Sequence, residues 1–432
     1  MITQALDFDS IDYYEEPALI NDPHPYFEHL RAQSPVQKLP HRNVYAVTGY
    51  EEAVQVFNDS ETYSALIAST GPFPCLPIEP ADDITDQLER LRPLVPMSDI
   101  MMNMDWEAHA RNRSLVTRLF TPRRLKQNEE FLRMMAGKII DDFADSGRVE
   151  LVREFGAPYT GMAIADLLGV PEEDRDWFYE RFNSAPELAP LADRDKSEFV
   201  DPLGYLEEKF TAYVQDRRDN PREDVLNEVA NARYPDGTLP PLHVSVRTAT
   251  NLFAAGLDTT ARLLASLMQI LAEDADLQSR LREDPKLVPD FVEEGLRLEG
   301  PVKTGHRLVL KNTELGGVAL PAGSIVALMN GAINRDPRRF DAPSELRLGR
   351  RSVREHLAFG RGAHTCPGAA LARTENRVAI EVLLGRLGDI HISEEKHGPP
   401  NGRRFSHEPT YIMRGLQELH LEFKPLAETA KS

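Results

Sequence analysis

The stretch Phe359-Gly360-Arg361-Gly362-Ala363-His364-Thr365-Cys366-Pro367-Gly368 sets one of only two cysteines in a glycine-rich loop that runs into a helical segment. Pro367 suits the first position of that helix and Cys366 its cap, which would hold the sulfur at the positive end of a helix dipole. Such a setting favours the thiolate. The glycines would let the backbone approach something flat and bulky without side chains in the way. A lone buried cysteine can also be a small hydrophobe, so from composition alone both readings stand.

Outward from the loop, a closing helix is expected over residues 367–387. Upstream, the proline-free run 243–273 is long enough for a helix of about 45 Å. Its centre is apolar on several faces (Leu252, Phe253, Leu263, Leu264, Leu267, Ile270), as in a core helix, yet it carries Gly256, Asp258, Thr259 and Thr260. A shorter helix with Val288, Phe291 and Val292 on its apolar face bears Glu294 and Arg297, an i, i+3 pair able to interact. After Pro301, the runs 307–310, 317–320 and 324–328 read as strands, with Pro321-Ala322-Gly323 as a turn. Residues 107–169 read as helices interrupted at Pro122, and 204–217 as another. Six prolines make 71–96 an irregular loop, and 218–241 reads as a charged, proline-bearing stretch. The fold class expected is mainly α with a minor β region. With no break in composition, residues 1–432 should form a single large helical domain.

Asp and Glu outnumber Lys and Arg by 69 to 50, a net charge of -19. That balance repels phosphate backbones and anionic headgroups, so neither nucleic acid nor a membrane surface is expected as a partner. Cys75 and Cys366 cannot build a disulfide framework, which fits a reducing, cytoplasmic setting. The start is acidic and lacks the basic flank and apolar run of a signal peptide, and no run of ~18 apolar residues could span a bilayer.

The cysteine loop resembles the haem-binding signature of the cytochrome P-450 superfamily, matched at Phe359, Gly360, Gly362, His364, Cys366 and Gly368. The resemblance implies the P-450 fold, haem b as cofactor and Cys366 as the iron ligand, with Phe359 shielding the sulfur. A thiolate in that place favours O–O cleavage. Glu294-Gly295-Leu296-Arg297 looks like the family's Glu-x-x-Arg structural pair. Ala255-Gly256-Leu257-Asp258-Thr259-Thr260 is similar to its oxygen-activation motif, in which a locally opened helix makes room for dioxygen. There Thr259 and Asp258 would serve proton delivery. Without that resemblance, threonine hydroxyls bonded one turn back and an Asp258–Arg pair are the ordinary reading of the same residues. The resemblance also supplies propionate partners in His109, Arg113, Arg307 and His364, and substrate contacts in Leu252, Ala255, Val302, Thr304 and the loop 67–102. It runs from Asp22-Pro23-His24-Pro25 to the C-terminus and includes Ala332-Ile333-Asn334-Arg335-Asp336-Pro337. Two departures stand out. Asp105-Trp106-Glu107 replaces an Asp-Pro-Pro, and Glu345 stands where an Arg is common, leaving Arg350 or His356 as the third partner of Glu294 and Arg297.

The activity the resemblance implies is that of a monooxygenase that hydroxylates, or otherwise oxidises, a hydrophobic small molecule such as a terpenoid, steroid, fatty acid or aromatic. Electrons would come from a separate ferredoxin and ferredoxin reductase, since no dinucleotide or flavin fingerprint is present. A basic docking patch would draw on Arg118, Arg123, Arg124 and Arg361, and the protein is expected to be a monomer. Two rivals share the cysteine: a peroxygenase or a dehydratase/isomerase that bypasses Asp258 and Thr259, and a non-enzymatic haem sensor.

Overall fold

The computed structural model describes residues 6–73, 75–117, 119–175, 177 and 204–426. A helix of 32 residues, Leu242–Glu273, runs through the interior over about 48 Å. Its first half (Val246, Ala249, Phe253, Leu257) packs with the helices Trp106–Val116, Ala157–Leu168, Gly204–Asp219 and Val225–Asn231. Its second half (Leu263, Leu264, Leu267, Leu271) joins a larger apolar cluster with the helices Pro122–Asp141, Val288–Glu299 and Ala369–Arg386. One helix therefore links two cores, which is why it is apolar on more than one face. Despite its length, no described helix is long and apolar enough to cross a membrane.

The β region is peripheral. Strands β1 (Val36–Lys38), β2 (Val44–Val47), β3 (Tyr63–Ser64), β5 (Thr304–Val309) and β8 (Ile325–Met329) form a sheet in the order β1-β2-β8-β5-β3. Only β2 and β8 are parallel, with Val44 beside Ile325. β6 (Thr313–Leu315) and β7 (Val318–Leu320) make a hairpin, followed by a turn whose Gly323 has φ +82. A third sheet, β4-β10-β9, joins Arg148–Glu150, His420–Pro425 and Leu387–Ile392. The last two strands and the helix Val225–Asn231 go beyond the sequence reading, which took 218–241 as a charged connection.

The pair Glu294 and Arg297 is fully buried, with Arg297 Nε 2.8 Å from Glu294 Oε1 and Nη2 2.9 Å from Oε2. Arg350 is the third partner, donating from Nε to Glu294 Oε1 at 2.9 Å, while His356 bonds Glu293 instead. Glu345 substitutes nothing here with its side chain. Arg297 Nη2 takes its backbone carbonyl at 2.9 Å, and the backbone amide of Arg347 donates to Glu294 Oε2. This knot ties the helix Val288–Glu299 to the irregular stretch that carries the chain toward the cysteine loop.

Candidate active site

The loop before Cys366 turns through Gly360 (φ +65) and Gly362 (φ +70), conformations costly for any residue with a Cβ. A Cβ on Gly362 would stand 2.5 Å from the Phe57 carbonyl, so this glycine also lets the loop dock against the end of helix Tyr50–Asn58. The Cys366 amide donates to the Phe359 carbonyl at 2.9 Å. The following helix starts at Ala369 with Gly368 at its cap, two residues later than the sequence reading placed it, so Cys366 is not the cap. Burial pushes the Cys366 thiol up, against the pull of the Gly368 amide, Arg113, Arg373 and the Ala369 amide. Desolvation of the charged form thus opposes the donors around the sulfur. Phe359 lies under the Arg373 guanidinium, 4.6 Å from ring centroid to Cζ. Arg373 is in turn held by Glu293 at 2.7 and 3.1 Å.

Four basic side chains gather near this loop. The rings of His109 and His364 lie 3.9 Å apart, and the buried Nε2 of His109 has no hydrogen-bond partner among the described residues. His364 is pushed down to about 3 by burial, then by Arg307, His109 and Arg113. Burial likewise lowers Arg307 to about 10, and Arg113 below its ordinary value. The carboxylate acting on this group is Asp105, which is already occupied by the Ser64 hydroxyl at 2.6 Å and the Ala65 amide at 2.7 Å. Cations that depress one another's protonation around an unpartnered donor suit an anionic group.

On the central helix, Thr259 Oγ1 donates to the Ala255 carbonyl at 2.8 Å, and Asp258 pairs with Arg262 at 2.8 Å. Arg262 also lies 3.7 Å from Glu408. The helix runs unbroken through 255–260, so the local opening expected there is absent among these residues. Gly256 instead accommodates Ile164, whose Cδ1 would be 3.1 Å from an added Cβ. Ala255 is exposed although flanked by core residues, which marks open space beside the motif. Glu375, which the sequence reading passed over, is buried in the helix after Cys366 and hydrogen-bonds Thr260. Its signal was a charged residue among Leu371, Val378 and Ala379, one helical face of buried apolar side chains.

A cavity of about 120 Å³ lies between the loop before helix Trp106–Val116 and the central helix, lined by Met101, Met104, Asn112, Val116, Asn251 and Leu252. Leu252 is thus at a cavity wall. Val302 lines a different, smaller cavity beside His24 and Lys303, and the Thr304 hydroxyl is taken by Tyr13 Oη at 2.7 Å. Of the proposed docking arginines, Arg123 and Arg361 are exposed, while Arg124 Nη1 donates to Glu228 at 2.7 Å; Arg118 lies outside the described residues.

The Cytochrome P450 family model matches residues 182–401. The chain belongs to the cytochrome P450 family. It is 33% identical over 381 residues to Cytochrome P450 144 of Mycobacterium tuberculosis (strain ATCC 25618 / H37Rv), covering 87% of this chain and 85% of that one. The substrate-free structure of Mycobacterium marinum cytochrome P450 CYP150A6 is 49% identical with a TM-score of 0.91, over 97% of this chain and 100% of that one. CYP109E1 from Bacillus megaterium, solved in complex with corticosterone, is 26% identical with a TM-score of 0.76, over 93% and 98%. This P450 is a haem-thiolate monooxygenase, with haem b bound through a cysteine thiolate and dioxygen as co-substrate. The residues present fit that cofactor: one half-buried cysteine facing backbone donors, and the basic cluster, with the orphaned His109 Nε2, for two propionates.

Proposed function

We propose that this P450 inserts one oxygen atom of dioxygen into a hydrophobic small molecule, with Cys366 as the iron ligand and electrons from a separate ferredoxin and its reductase. The observation that carries the reading is the half-buried Cys366, its sulfur acted on by Arg113 of the cluster that Arg113 forms with His109, Arg307 and His364. Haem bound through a thiolate supplies dioxygen activation, because the sulfur pushes electron density toward the iron. The chain's own residues do the rest. Phe359, fixed by Arg373, keeps water from the sulfur, and Gly360, at φ +65, turns the loop beneath it while Gly368 caps the helix that follows. His109, Arg113, Arg307 and His364 hold the two propionates. Thr259 holds a proton at Oγ1, and Asp258, half-buried and paired with Arg262, relays protons to it from the solvent side.

The Met101, Met104, Val116 and Leu252 side of the cavity suits an apolar substrate, and Asn112, Asn251, His243, Thr248 and the Asp99–Arg247 pair offer it polar contacts. Terpenoids, steroids, fatty acids and aromatics fit that chemistry, and the corticosterone bound by the Bacillus megaterium relative makes steroids the first class to try. Ala255, exposed on the central helix beyond Leu252, would face the substrate too, whereas Val302 lines a different cavity and the Thr304 hydroxyl is taken by Tyr13. The ferredoxin would meet Arg123 and Arg361, and the enzyme would work as a single-domain monomer in the cytoplasm. Titrating hydrophobic compounds into the ferric protein should shift the Soret band from low to high spin with saturation for the right class. Thr259→Ala should then release peroxide in place of product. A coupling ratio unchanged in Thr259→Ala would overturn the monooxygenase role given to Thr259 and favour a peroxide-driven enzyme.

A further inference from the structure

Lys303, the residue before strand β5, has 2% of its surface exposed, and its Nζ has no hydrogen-bond partner among the described residues. The backbone fixes it there: its amide donates to the Ile412 carbonyl at 2.9 Å, and its carbonyl accepts from the Gly331 amide at 3.5 Å. The Tyr411 ring, 5.5 Å from Nζ, offers only its π face. Burial lowers the amine to about 7, and the charge acting on it, Arg414, is a second cation that pushes the same way.

Lys303 lines a cavity of about 10 Å³ whose other polar walls are His24, Arg297, Asn330, Asn334 and Arg414, with no Asp or Glu among them. The two guanidinium charges are already answered, Arg297 by Glu294 at 2.8 Å and Arg414 by Glu299 at 2.8 Å. Glu299, which is not part of the wall, is also shared by Arg335 at 3.0 Å and His24 Nε2 at 3.3 Å. Asn334 Oδ1 accepts from the Leu357 amide at 2.7 Å, and Asn330 gives its Nδ2 to the Val302 carbonyl at 3.0 Å. Lys303 Nζ, His24 Nδ1 and the uncharged Asn330 Oδ1 are left without partners among the described residues. Water or an amide oxygen can bond a buried ammonium but cannot neutralise it. The volume admits a single small particle, which excludes phosphate, sulfate and organic acids.

We propose that this cavity binds one small monovalent inorganic anion, chloride being the abundant example, with Lys303 Nζ as its charged partner. The ion would sit where helix His24–Gln33, helix Val288–Glu299, the entry to β5, helix Asn330–Ile333 and the segment around Arg414 meet, and would clasp them together. It uses no residue assigned to haem or to proton delivery. Because the ion favours the charged amine, its affinity should fall about tenfold for each pH unit above ~7. The other groups facing Lys303 do not reverse that trend. His407 is held down to about 3 by burial, the Tyr411 hydroxyl is raised by burial, and Glu299 is held well below the usual carboxylate range by Arg414, His24 and Arg335. Protonation of His24 acts in the same direction as that of Lys303, and Arg297 and Arg414 add positive potential.

Bromide is the probe for the site itself. Crystals of the haem-loaded protein grown in bromide should show an anomalous peak in this cavity, against Lys303 Nζ, that is lost in Lys303→Met. In solution, the urea midpoint of the wild type should rise with chloride and not with gluconate at equal ionic strength, by mass action on the folded state. The apparent chloride affinity read from those midpoints should be about tenfold weaker at pH ~8.5 than at pH ~7.5. Lys303→Met should give the same midpoint in both salts, and Lys303→Gln replaces it if the Met variant does not fold. A cavity holding water alone in bromide-grown crystals, or equal wild-type midpoints in chloride and gluconate, would overturn the proposal. A bromide peak without any chloride dependence marks an ion bound at crystal concentration only and overturns it as well.

Discussion

Replacing Arg297 with Met should destabilise the protein by about 4 kcal/mol, the range expected when one partner of a buried ion pair is removed. Arg297 makes two bonds to Glu294 at 2.8 and 2.9 Å and donates to the backbone carbonyls of Asn334 at 3.1 Å and Glu345 at 2.9 Å, and to that of Pro343. Its guanidinium also lies over the Phe340 ring. Loss of the side chain strands the Glu294 charge, only partly compensated by Arg350 at 2.9 Å, and leaves buried carbonyls unpaired. With a urea slope of ~3 kcal/mol/M, the unfolding midpoint by far-ultraviolet circular dichroism should fall by about 1.3 M. Glu345→Ala is the sharp contrast, because Arg297 uses the backbone of Glu345 and, among the described residues, its exposed carboxylate meets only Arg347. That variant should cost no more than ~0.5 kcal/mol. A midpoint shift under ~0.3 M for Arg297→Met, or an equal shift for Glu345→Ala, would refute the account of this knot.

Burial alone would raise the Glu293 carboxyl, but hydrogen bonds from His356 and Arg373 hold it down to about 2. The folded state therefore gains stability above the ordinary value of 4.5 and loses it as pH falls from there toward 2, worth up to ~3 kcal/mol; Glu293→Gln should flatten that acid arm in unfolding measured between pH 5 and 2.5. Removing one cation from the propionate cluster in Arg307→Leu should speed haem loss to apomyoglobin about ten- to hundredfold, as for a lost charged hydrogen bond. An unchanged rate would remove Arg307 from the haem site. Reversing the charge of Arg123 and Arg361 together should slow ferredoxin-driven turnover while leaving the substrate spin shift as it was, and the difference should shrink as salt is added.

The parts of this structure legible in the sequence are those written in local spacing. The central helix was read over 243–273 and runs over Leu242–Glu273, because a proline-free apolar run declares its own length. The cysteine loop was legible because three glycines and a Cys-Pro step constrain the backbone almost residue by residue. Where the following helix begins was not, since Gly368 rather than Cys366 takes its cap. The third partner of Glu294 was ambiguous for a different reason: Arg297 satisfies itself largely on backbone carbonyls, which side-chain identity does not announce. Thr304 looked available for substrate until Tyr13, 291 residues away in the chain, took its hydroxyl. Strands Leu387–Ile392 and His420–Pro425 pair across a long irregular excursion; both alternate, burying Ile390 and Ile392 and Leu421 and Phe423, a signal the sequence reading did not use.

The central claim, that Cys366 is the haem ligand, is tested most directly by the ferrous carbon monoxide spectrum of the haem-loaded protein beside that of Cys366→Ser. The account predicts a red-shifted, thiolate-type Soret band in the wild type that is lost in the variant and kept in Cys75→Ser. A thiolate-type band that survives in Cys366→Ser would contradict it.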